Sequence, residues 1–110
     1  MKLLWLCNNA PGVVRAALTG KPEGEVNWLD HVLSDLRQQG VTMRILYRGG
    51  GEPGRLDASC SYVPIGETPA EIYQPELEKA FRQELKTYQP EVIHIWGVEY
   101  HHALAMVNAA

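Results

Sequence analysis

One late stretch constrains the fold more than any other: Glu91-Val92-Ile93-His94-Ile95-Trp96-Gly97. Pro90 ends whatever precedes it, because proline lacks a backbone N–H and pushes its predecessor out of helical geometry. Val92–Trp96 is largely apolar and β-branched without alternation, the pattern of a strand buried on both faces. Gly97 stops that strand, and Tyr100, Leu104 and Val107 begin a helical period at once. Open α/β sheets present ligand sites in this way, outside the carboxyl ends of their strands. The polar residues at that point are Glu99, His101 and His102.

A second continuous apolar run, Lys2–Cys7, opens the chain and ends in turn chemistry, Asn8-Asn9-Ala10-Pro11-Gly12. Val13–Leu18 has room for one or two helical turns before Gly20, and Lys21–Gly24 reads as loop, so a long, partly ordered connection follows the first strand. From Val26 a helical period places Leu29, Val32, Leu33 and Leu36 on one face, with Asp30, Asp35 and Arg37 pointing away, and Gly40 as the stop. Val41–Tyr47 is a strand, Gly49–Gly54 a flexible loop, and the run to Ile65 a third strand. Pro64 assigns that third strand to an edge. Thr68-Pro69-Ala70-Glu71 has capping-box spacing for a short helical piece. A longer helix from Pro75 then aligns Leu77, Phe81, Leu85 and Tyr88.

Strands alternating with helices predict a Rossmann-like α/β fold, a parallel sheet with helices on both faces. If the order is that of a Rossmann half-unit, 3-2-1-4, the first and last strands are neighbours. The loop after Cys7 then faces the loop after Trp96 across one crevice. Glu99 and His102 are expected there as hydroxyl-bonding groups opposite Asn8 and Asn9. The bland alternative makes His102 a helix cap and Glu99 a partner of the positive helix end. Trp28 is either a core residue or a partly exposed platform beside the crevice. His94 is expected as a core or sheet-face histidine with a satisfied ring, the alternative being a ligand role. No metal site is assigned, since adjacent His101 and His102 diverge on a helix. The glycine cluster lacks the spacing of a phosphate loop.

The remaining bounds are negative. A chain of 110 residues holds one core. Its formal charge of −3 and scattered basic residues argue against a nucleic-acid surface. No apolar run is long enough for a membrane span, and the start reads as a mature, cytoplasmic N-terminus. Cys7 and Cys60 are expected as buried free thiols. The helical run Ala103–Ala110 carries no stop signal, as expected of a truncated piece of a longer protein.

Met1–Asn8, Trp28-Leu29 opening a helix, Pro90–Gly97 and Glu99-Tyr100…His102–Met106 together resemble the N-terminal domain of retaining glycosyltransferases of family 4, the "group 1" family of the GT-B fold. The resemblance runs through nearly the whole chain and is most specific from Pro90 to Met106. It implies that residues 1–110 are the acceptor-side domain of a two-domain enzyme, whose C-terminal donor-binding domain is absent. That enzyme would transfer a sugar from a nucleotide-sugar donor to a glycan or lipid acceptor with retention, without a cofactor. Peripheral membrane association of the whole enzyme is compatible with this.

Residue by residue, the resemblance makes Glu99 and His102 catalytic and puts Asn8, Asn9, Val26, Asn27, Trp28 and Gly97 in the acceptor and donor crevice. Three positions depart from it. The Gly-Gly of many members reads Val26-Asn27 here, and a second histidine two after His94 is Trp96. The alternative is a non-catalytic sugar-binding or interaction module of the same fold. The piece alone is expected to be inactive, and Leu104 and Val107, expected exposed, favour its self-association.

Overall fold

The two continuous apolar runs become neighbours in the sheet. In the computed structural model of the chain, β1 (Lys2–Cys7) lies between β2 (Thr42–Tyr47) and β5 (Val92–Trp96), parallel to both. The structure describes residues 1–21, 28–67 and 72–110. Trp5 is in register with Ile45 on one side and His94 on the other, and Cys7 with Tyr47 and Trp96. Paired on both edges and covered on both faces, β1 buries Leu4, Trp5 and Leu6 completely, which is what a run without alternation requires.

β4 (Cys60–Pro64) pairs parallel to β2, so these four strands have the expected Rossmann-type order. One edge assignment and one burial expectation are corrected. β3 (Gly54–Asp57) runs antiparallel to β4 and takes the edge assigned to that strand, giving the order β3-β4-β2-β1-β5. Its last pairing on this side, Gly54 with Tyr62, leaves Pro64 beyond the ladder, where a missing N–H costs no bond. β5 is not buried on both faces. It is the other edge among the described residues, with Val92 and His94 exposed and Ile93, Ile95 and Trp96 half-buried. The residue pattern asks for a covering that this chain supplies only in part.

Helices lie on both faces. α1 (Gly12–Thr19) and α2 (Trp28–Gln38) pack Val14 and Leu33 on the face formed by Leu3, Trp5, Cys7, Met43, Ile45 and Tyr47. α3 (Pro75–Tyr88) and α4 (His101–Ala109) pack Phe81, Ala105 and Met106 on the opposite face, against Leu4, Leu6 and Leu46. Burying a side chain such as Phe81 contributes roughly 1.5–3 kcal/mol. A forked pair ties α3 to the sheet. Arg44 of β2 donates through Nε and Nη2 to Glu84 at 2.6 and 3.1 Å, and through Nη1 to Ser61 at 3.0 Å.

Asp30 corrects the helical wheel. It was expected to face water, yet it is buried, and its carboxylate accepts the backbone N–H of Val13 at 3.2 Å. α1 begins without a side-chain cap of its own, so α2 supplies one across the interface. The proposed capping box at Thr68–Glu71, and the start of the long helix at Val26-Asn27, lie outside the described residues. Cys7 and Cys60 are buried free thiols, as expected. Among the described residues no helix is long and apolar enough to cross a membrane.

Candidate functional site

Adjacent parallel strands end side by side, so the residues after β1, β2 and β5 converge. They line a cavity of about 620 Å³ that includes Asn8, Asn9, Trp28, Arg48, Gly97 and Glu99. Its floor is the end of the sheet itself, Cys7, Tyr47 and Trp96. Burial pushes the Cys7 thiol up to about 12. It is therefore an inert wall and not a nucleophile at neutral pH.

Asn8 is the centre of the polar arrangement. Its Nδ2 donates to Glu99 Oε2 at 3.1 Å, and its Oδ1 accepts from His102 Nε2 at 2.9 Å. A carboxamide oxygen can only accept, which assigns the proton of this bond to His102 Nε2. Its main-chain carbonyl accepts from Arg48 Nε at 3.2 Å. Asn8, Glu99 and His102 come from the end of the first strand, the loop after β5 and the second residue of α4, brought together by the β1–β5 pairing.

Gly97 makes this possible. Its φ is +92°, and a Cβ there would lie 2.7 Å from Asn8 Nδ2 and against the Glu99 carboxylate. The Asn8–Glu99 pair occupies the space a side chain would need.

The two acids and bases differ in environment. Glu99 is exposed at the rim, and its carboxyl is held below the ordinary value by its own backbone N–H, by Asn8 and by the Val98 N–H. It is an ionised acceptor at neutral pH. His102 is 2% exposed and reaches the cavity through Asn8. Burial lowers its pKa, Arg48 lowers it further, and Glu99 opposes both. The ring is thus neutral near pH 7. Tyr100 stacks on it, 5.2 Å between centroids and nearly parallel, and the Arg48 guanidinium lies 4.6 Å over Tyr100.

The structure therefore brings Asn8, Glu99, His102 and Gly97 into one unit, and puts Asn9 and Trp28 on the wall of the same cavity. Trp28 takes the exposed alternative, at 63%. Val26 and Asn27 lie outside the described residues. His101 diverges from His102 and meets the Tyr73 ring edge-on at 6.5 Å. His94 is a sheet-face residue stacked on Trp96.

Sequence reasoning missed Arg48. In the sequence it is one of the scattered basic residues, but it follows the last residue of β2, and β2 borders β1. The rule that sites form at the carboxyl ends of strands applies to β2 as much as to β5. The glycine loop is tethered, with the Tyr47 hydroxyl donating to the Gly50 carbonyl at 3.1 Å and Gly49 paired with Gly66. The chain matches no protein-family model, no curated protein and no solved structure.

Proposed function

We propose that this chain is the acceptor-side domain of a cytoplasmic retaining glycosyltransferase, one that moves a sugar from a nucleotide-sugar donor to a glycan or lipid acceptor. The observation that carries the reading is Asn8 held between Glu99 and His102 at the carboxyl ends of β1 and β5. An ionised carboxylate and an oriented carboxamide side by side suit sugar hydroxyls, which donate to one and accept from the other. The resemblance in Pro90–Met106 points the same way.

In this reading Glu99 and Asn8 touch the acceptor, and Asn9 extends the row. His102 fixes which way the Asn8 carboxamide points, so that Nδ2 faces the rim. Neutral His102 serves this role without placing a second charge beside Arg48. The nucleotide sugar would be held by a second domain facing this crevice, and catalysis would need both reactants oriented together.

Calorimetric titration with methyl glycosides and short oligosaccharides tests the proposal. The chain is expected to bind at least one of them, and Asn8→Ala to weaken that binding about tenfold, as the loss of oriented hydrogen bonds implies. Unchanged affinity in Asn8→Ala, or no saccharide binding by the wild type, would refute it.

A further inference from the structure

Trp28, the first residue of α2, leaves 63% of its surface in water at the edge of the cavity. An indole at the edge of a cavity offers apolar surface that a ligand can cover. Its orientation is also fixed. Trp96 meets it with centroids 5.0 Å apart at 63°, His94 stacks on Trp96 at 3.9 Å and 21°, and fully buried Trp5 closes against Trp96 at 5.2 Å and 80°. The exposed ring is thus braced by a column of aromatic rings rooted in β1 and β5. A surface held in place before binding loses little entropy when a ligand arrives.

The cavity has an apolar wall at Trp28 and hydroxyl partners at Asn8, Asn9 and Glu99. A pyranose ring has the matching division. Its C–H groups, polarised by the ring and hydroxyl oxygens, are attracted to the negative face of an indole, while its equatorial hydroxyls project from the edge. Trp28 and Trp96 are inclined by 63°, so the pair does not form a parallel-walled slot that would sandwich a flat base.

We propose that Trp28 is the stacking platform on which the C–H face of the bound sugar ring rests. It then acts as a specificity residue, admitting rings with an unbroken C–H face and rejecting those with an axial hydroxyl on that face. This rests on the sugar-binding reading above and names the residue that selects the ring.

The experiment follows ligand proton shifts and indole fluorescence. The methyl pyranosides of glucose, galactose, mannose and xylose, with uridine as a flat aromatic probe, are titrated into wild type, Trp28→Phe, Trp28→Ala and Glu99→Gln. Trp28 is exposed, so circular dichroism should report an unchanged fold in its variants. With wild type, at least one pyranoside should show upfield ring-current shifts at C–H positions of one face. Trp28→Phe should retain them in weaker form. Trp28→Ala should lose them and bind about tenfold more weakly, whereas Glu99→Gln should weaken binding and keep the shifts. Wild-type affinity and shifts in Trp28→Ala would overturn the platform and leave the sugar reading standing. Shifts with uridine alone would overturn it in favour of a base. Binding of no probe by the wild type would overturn both.

Discussion

Gly97→Ala separates backbone strain from loss of the site. At φ +92° an L-residue is strained by about 1–2 kcal/mol. For a chain of 110 residues the unfolding entropy near Tm is about 0.23 kcal/mol per degree. The melting temperature should therefore fall by roughly 4–9 °C. The new methyl group also lies 2.7 Å from Asn8 Nδ2 and against Glu99 Oε2. Both are ends of side chains and can move, but moving them breaks the Asn8–Glu99 bond. Gly40→Ala is the control, since Gly40 has φ +80° and nothing within 4 Å of its added Cβ. Thermal melts by circular dichroism and glycoside titration by calorimetry are read on both variants. Both should melt lower by similar amounts, and only Gly97→Ala should lose glycoside binding. Normal binding by Gly97→Ala, or equal loss in both, would show that the Asn8–Glu99 pair is not the binding element.

Two further outcomes follow from the same geometry. The His102 pKa is lowered below its ordinary value of 6.5, so below that value the unfolded state binds more protons than the folded one. Its stabilising effect should be complete above pH 6.5, decline as pH falls, and level off below the folded-state value. Replacing His102 with Gln should remove that step from a plot of stability against pH, and its persistence would assign the step elsewhere. Leu104 and Val107 are 51% and 61% exposed near Ile95 of β5, an edge strand among the described residues, so the chain should self-associate at high concentration. Leu104→Lys should shift sedimentation toward the monomer, and an unchanged profile would count against this face.

The parallel core was legible because Leu3–Cys7 lacks alternation, and only a strand paired and covered on all sides tolerates that. The β1–β5 adjacency followed, and with it the meeting of Asn8 with Glu99 and His102. The β3 strand was not legible, because Gly54-Arg55-Leu56-Asp57 offers a single apolar residue and pairs through its backbone. Asp30 was misread because its partner is a backbone N–H on another helix, which no wheel displays. The β5 run looked doubly buried because apolar residues record a need for cover, not its presence. Of the apolar period Tyr100–Leu104–Val107, Leu104 and Val107 face outward while Tyr100 packs half-buried on His102, and small Ala103 and Ala105 with His102 and Met106 form the buried side of α4.

The crevice between the ends of β1 and β5 is proposed to hold a sugar through Asn8 and Glu99. Amide chemical-shift mapping during titration with a bound methyl pyranoside tests it most directly. Shifts are expected at the amides of Asn8, Asn9, Arg48, Gly97 and Glu99, saturating together. Shifts gathered at Leu104 and Val107, with Asn8 and Gly97 unmoved, would contradict it.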